Sequence, residues 1–140
     1  MPSGQADYQD DPSIKDTCQL LRRIPLKPSH CVWDENLGRY RPTSASFEDH
    51  PNGSPMSVTL ADELLASGRP LEDGLAGLEG YALARISAGF VRKLGLGVAR
   101  EPLIDEPAHA VVIGKKSKKA KSALAKAAAW IVAPPQTPTS

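Results

Sequence analysis

Thirteen prolines and eleven glycines interrupt a chain of 140 residues, and this punctuation caps the length of every regular element. Proline ends or kinks a helix and removes a donor from a strand ladder, so only short helices and strands fit between the prolines. No run approaches the roughly 20 apolar residues that a membrane-spanning helix needs. With 41% hydrophobic residues the chain can bury one modest core. Aromatics make up only 5%, so that core must be built from Leu, Val, Ile and Ala, with Trp33, Phe47, Phe90 and Trp130 as candidate anchors.

Residues 1–17 are polar, carry Asp7, Asp10, Asp11 and Asp16, and show no hydrophobic period. They are expected to form a flexible acidic tail, matched by a proline-rich tail at 134–140, around a single domain at 18–133. The first residues lack both a basic n-region and an apolar h-region, so the chain reads as cytoplasmic, without a secretory leader or membrane anchor.

Within the domain, Cys18–Ile24 is apolar and fits a strand or a helix. His30–Trp33 fits a strand closed by a turn at 34–38, and Arg39–Phe47 reads as irregular. Met56–Leu60 alternates apolar and polar residues, a half-buried strand pattern. Thr59 or Asp62 is a candidate cap for a short helix through Ala66, and Leu71–Leu78 holds a further helical turn or two. Tyr81–Ile86 is open between strand and helix. Ser87 is a candidate cap for Ala88–Leu94, with Gly95 ending that helix. Leu96–Arg100 and Ala108–Ile113 read as strands, and Ser117 opens a last amphipathic helix running through Ile131. The resulting expectation is an α+β domain with a short mixed sheet and a C-terminal amphipathic helix.

The charges are unevenly spread. Residues 1–106 hold eleven basic against sixteen acidic groups, a formal −5, while six lysines give residues 107–140 a formal +6. Most of those lysines fall on the polar face of the last helix, where they keep that face in water. Lys115 and Lys116, together with Lys118 and Lys119 of that face, crowd the helix N-terminus, where the dipole favours negative charge. With Gly114 and Ser117 they supply a glycine, a hydroxyl, free N–H groups and cations, the ingredients of a contact for phosphate or for an acidic side chain. It is not a Walker A loop, because His109 stands where that motif needs a glycine. Trp130 lies on the apolar side of the predicted helix, which argues against base stacking and sequence-specific nucleic-acid binding.

Three polar segments beside prolines are candidates to converge in a pocket of Arg41, Ser44, Ser57 and His109. There His109 would be a general base, a serine its hydroxyl partner, and Arg41 or Arg23 an anion contact. No metal site or cofactor is expected. Cys18 and Cys31 with His30 and either His50 or His109 lack the spacing that prepares a zinc site.

The segments Arg41–Phe47, Met56–Val58 and Pro107–Ala110 resemble a loosely defined set of uncharacterised small bacterial proteins, a resemblance that implies no activity. The order of Arg22 or Arg23, then Thr43-Ser44-Ala45-Ser46, then Glu106 resembles the arginine–serine–glutamate class of ADP-ribosyltransferases, and implies an NAD-using enzyme acting through Arg23, Ser44 and Glu106. The sequence departs from that class in having no Ser-Thr-Ser and no Glu-x-Glu. The reading from the residues themselves is a binding or accessory module touching a phosphate-bearing ligand or an acidic partner protein, with a pure protein-interaction role as a further alternative.

Overall fold

Alternation along Met56–Leu60 sets the inner and outer sides of the domain. In the computed structural model, which describes residues 8–134, this segment is a strand with Met56, Val58 and Leu60 buried and Ser57 and Thr59 half-buried. Taken in chain order, the strands are β1 (Gln19–Pro25), β2 (Cys31–Asp34), β3 (Arg39–Pro42), β4 (Met56–Leu60), β5 (Tyr81–Ser87), β6 (Gly97–Arg100), β7 (His109–Ile113) and β8 (Ala129–Val132). The helices are α1 (Ala61–Ala66), α2 (Ala88–Lys93) and α3 (Lys118–Ala127), with 3-10 turns at Ser44–Phe47 and Leu71–Leu75. Six strands form one sheet in the order β6-β7-β4-β1-β5-β8, and β2 pairs with β3 in a separate hairpin. Every pairing is antiparallel. The architecture is α+β.

Period-two alternation sends the two sets of side chains to opposite faces of the sheet. On one face Leu20, Ile24, Met56, Val58, Leu60, Ala110 and Val112 meet Phe47, Ala88, Val91 and Leu124, so the first 3-10 turn, α2 and α3 cover it. On the other, Leu21 and Leu83 meet Ala61 and Leu64 of α1, with Leu71 and Leu75 packed alongside. This second cluster is smaller and leaves part of its face uncovered, and that uncovered part becomes the polar cleft described below.

Two serines act as predicted. Ser87 Oγ accepts from Phe90 N at 3.1 Å and Ser117 Oγ from Ala120 N at 3.1 Å, each satisfying an otherwise orphaned donor at a helix start. Neither Thr59 nor Asp62 caps α1, whose N-cap is Leu60 with no side-chain bond. Arg39–Pro42, expected to be irregular, is a strand because it completes the hairpin with β2, where Trp33 and Tyr40 pack edge to face at 5.3 Å. The last helix ends at Ala127, and Trp130 and Ile131 lie in β8 instead. Pairing with β5 and a hydrogen bond from Trp130 Nε1 to the Tyr40 carbonyl at 3.0 Å outweigh the helical pattern there.

Part of the segment expected as a flexible tail is packed. Ile14 is buried in the main core, Asp11 N donates to the Val98 carbonyl at 2.8 Å, and Arg92 bridges Asp10 and Asp16. Residues 1–7 of that segment and 135–140 of the proline-rich one lie outside the described residues. Among the described residues no helix is long and apolar enough to cross a membrane.

Glu106 ties the loop before β7 to the chain following α1. Its two carboxylate oxygens accept from Arg69 Nη1 and Nη2, both at 2.8 Å, and Ala108 N donates to Oε2 at 3.2 Å. The Arg69 hydrogen bonds hold this carboxyl below its ordinary value of 4.5. A group with its folded pKa below its unfolded one stabilises the fold above the unfolded value, and that contribution is lost as pH falls through the folded value. The native protein's urea midpoint should therefore fall on acidification below about pH 4.5, and Glu106→Gln should flatten that fall. An unchanged slope would mean that the pair does not couple to folding.

Candidate functional site

Strands β1 and β4 pair only at Leu20↔Leu60 and Leu21↔Thr59. Beyond that point β1 remains paired with β5 as far as Pro25↔Tyr81, and β4 remains paired with β7 as far as Met56↔Val112. The sheet therefore opens along its middle. Arg22 occupies the opening. Its Nε donates to the Ser46 carbonyl at 3.0 Å, Nη1 to the Ser57 carbonyl at 2.8 Å and Nη2 to the Glu48 carbonyl at 3.4 Å. A side chain here takes the place of ladder hydrogen bonds, and the two strands are bridged while being kept apart. Burial and the neighbouring charge of Arg23 pull the Arg22 guanidinium down to about 10, with Asp49 acting in the opposite direction.

The opening is a cleft of about 300 Å³. Arg22 and Arg23 line it together with His30, His50 and His109, so all three histidines of the chain meet there. Ser46, Ser57, Thr59 and Tyr81 add hydroxyls, and among the described residues no Asp or Glu lines it. Arg23 is half-buried and has no hydrogen-bonding or ion-pairing partner among the described residues. Residues opposite one another in an antiparallel register share a face, and the β1–β4 register extended by two residues sets Arg23 across the opening from Ser57.

All three imidazoles are oriented by specific bonds, that of His30 through Nδ1, 2.7 Å from Ser29 Oγ. His50 Nε2 lies 3.1 Å from Ser57 Oγ. His109 Nδ1 lies 2.9 Å from the Glu101 carbonyl oxygen and 3.4 Å from a Glu101 carboxylate oxygen. A carbonyl can only accept, so Nδ1 carries the proton and Nε2 is the acceptor in the neutral ring. Ser46, also buried, gives its hydroxyl to the His30 carbonyl at 2.8 Å and helps to hold that wall.

The lysine-rich segment is built differently. Lys116 is folded inward with a side chain only 3% exposed, its Nζ 2.8 Å from Asp49 Oδ1 and 2.7 Å from the Gly114 carbonyl. Burial lowers its pKa. Lys121 pairs with Glu48 at 3.0 Å, and Ser117 caps α3. The protein thus supplies two counter-charges from the loop before β4. Gly114 has φ +105°, a conformation that disfavours any side chain, and a Cβ there would sit 3.0 Å from Leu96. Lys115, Lys118 and Lys119 are exposed and form no ion pair with described residues.

Of the four residues expected to converge, Ser57 and His109 line the cleft. Arg41 and Ser44 do not. Arg41 is exposed on the hairpin and pairs with Asp34 at 2.9 Å, and Ser44 is exposed on its 3-10 turn. The transferase set is also divided, because Arg23 lines the cleft whereas Ser44 and the Arg69-bound Glu106 lie outside it. Cys18 and Cys31 are buried free thiols, both raised in pKa by burial. Among the described residues no group of three or more His, Cys, Asp or Glu is placed to hold a metal ion.

Sequence reasoning gave Tyr81 no part in a site, named Thr59 only as a helix cap and Arg22 only as an alternative to Arg23 in the transferase resemblance, and considered His30 and His50 only as zinc ligands. One available signal was the alternation in β4, which puts Ser57 and Thr59 on one face of the strand; that His109 shares it follows only from the pairing of β4 with β7. Comparison with protein-family models, with curated proteins and with solved structures found no match.

Proposed function

We propose that the protein is a binding module for a small phosphate- or carboxylate-bearing ligand, held in the cleft between β1 and β4. The observation that carries this reading is Arg23, half-buried and with no side-chain partner among the described residues, in a cleft that brings a second arginine and three histidines together and that no described carboxylate lines. Arg22 and Arg23 oppose each other's charge, and an anion between the walls of the cleft relieves that opposition. Guanidinium binds carboxylate and phosphate through paired hydrogen bonds, and Thr59 and Tyr81 offer further donors. The volume of about 300 Å³ suits a small ligand, at the lower end of the usual range. The lysine segment is the less favoured location, because Lys116 and Lys121 already have Asp49 and Glu48.

Calorimetric titration with inorganic phosphate and with a small dicarboxylate tests the reading. Wild-type protein should bind at least one of them, more weakly as salt is added. Arg23→Leu should weaken binding by about tenfold or more, in line with the loss of one charge-assisted hydrogen-bonding group. The pair Lys115→Glu and Lys118→Glu should leave binding within about twofold, since both side chains are exposed, do not line the cleft and are screened by salt. Equal binding by wild type and Arg23→Leu, or loss confined to the lysine variant, would overturn the assignment to the cleft.

A further inference from the structure

Anion binding leaves one pair of groups in the cleft unused. Ser57 Oγ is 3.1 Å from His50 Nε2, and the backbone behind each is fixed. The Ser57 carbonyl is held by Arg22 Nη1 at 2.8 Å. On the other side, His50 N donates to the Ser54 carbonyl at 3.0 Å and the His50 carbonyl accepts from Gly53 N at 2.9 Å, closing the turn that carries the imidazole. Ser57 also shares its sheet face with Arg23 across the opening. A serine hydroxyl in hydrogen-bond reach of an imidazole, in a cleft also lined by a guanidinium with no partner among the described residues, has the parts of an activated nucleophile: the base takes the proton as the oxygen attacks, and the cation steadies the negative charge that develops.

We infer that the cleft carries acyl-transfer activity, with Ser57 as nucleophile and His50 as general base, toward small carboxylic esters that bear an anionic group. The charge requirement rests on the anion-binding reading of the same cleft; the nucleophile does not. In the first half-reaction the Ser57 hydroxyl proton passes to His50 Nε2, Oγ bonds to the ester carbonyl carbon, and the bond from that carbon to the alcohol oxygen breaks. His50 returns the proton to the departing alkoxide, which leaves as the alcohol. In the second, water attacks the acyl-serine and gives its proton to His50, the acyl–Oγ bond breaks, and the proton returns to Oγ as the acid departs. Arg23 faces the carbonyl oxygen or the anionic group of the substrate.

A fluorophosphonate probe, followed by intact mass and peptide mapping, tests this without knowledge of the natural ester. Folded wild-type protein should take up one adduct, on Ser57. Ser57→Ala should take up none, and His50→Gln, a substitution at an exposed side chain, should react more slowly by about a hundredfold, the low end of what a general base contributes. A serine that is merely structural gives no adduct, so a folded wild type left unlabelled by excess probe overturns the activity. So does labelling that is equally fast in His50→Gln. Phosphate binding by Ser57→Ala, measured alongside, separates the two readings. If it persists while wild type takes no adduct, the activity falls and the anion site stands. If Ser57 is labelled while no phosphate or carboxylate binds, the nucleophile stands and the anion reading falls.

Discussion

Replacing Arg22 with leucine should lower the stability of the fold by about 3 kcal/mol, a drop of roughly 10 °C in Tm for a chain of this size. The leucine fills most of the stem volume but donates nothing, so the carbonyls of Ser46, Ser57 and Glu48 lose their common donor. Hydrogen bonds from a charged donor contribute about 1.5–3 kcal/mol each, and the contact to Glu48, at 3.4 Å, is the weakest of the three. Against this loss stands relief from burying a cation, which burial already pulls down to about 10. Two strong bonds outweigh that relief because they tie the first 3-10 turn and β4 to β1 at one point across the opening. Arg22→Lys keeps the charge but reaches fewer carbonyls, and should fall between wild type and leucine. Urea unfolding of the three proteins measures the order; equal midpoints for wild type and leucine would remove Arg22 from its bridging role.

Asp49→Ala should be comparably damaging, by about 3 kcal/mol, the lower end of the cost of leaving a buried charge without its partner. Lys116 is almost entirely buried, and Asp49 Oδ1 both receives its ammonium at 2.8 Å and accepts from Met56 N at 3.0 Å. Alanine removes both contacts, at a place where the loop is anchored to the first residue of β4. Asp49→Asn retains an acceptor for Met56 N and loses the charge, so its cost should be roughly half. Lys116→Met should be milder than Asp49→Ala, because the carboxylate it leaves behind is 22% exposed and can take up water. The double variant should recover part of the loss of Asp49→Ala, since the stranded ammonium is then gone. Strict additivity in the double-mutant cycle, measured by urea unfolding at neutral pH, would show that the two groups do not interact.

Both effects arise from contacts that no local pattern reveals, which explains what could be read from the sequence and what could not. The strand at Met56–Leu60 and the serine caps at Ser87 and Ser117 are local features, set by alternation and by a hydroxyl three residues before a free N–H, and they were legible. Arg39–Pro42 and Ala129–Val132 were not, because each becomes a strand only through a partner elsewhere: β2 for the first and β5 for the second. The crowded lysines were visible as charge, yet Asp49, which answers Lys116, lies 67 positions earlier in the chain. Ser57 and His109 were singled out from their polar settings, whereas the cleft that joins them depends on where β1–β4 pairing stops. That stop follows from Arg22 reaching three carbonyls, a tertiary contact hidden in an apolar-looking strand.

An anion site in the opened middle of the sheet should be visible in amide chemical-shift mapping of the isotope-labelled protein, titrated in turn with inorganic phosphate and with a small dicarboxylate. At least one of the two should give saturable shifts centred on Arg22, Arg23, Ser57, Thr59 and His109, lost in Arg23→Leu. Shifts confined to residues 115–119, or none with either anion at millimolar concentration, would rule the site out.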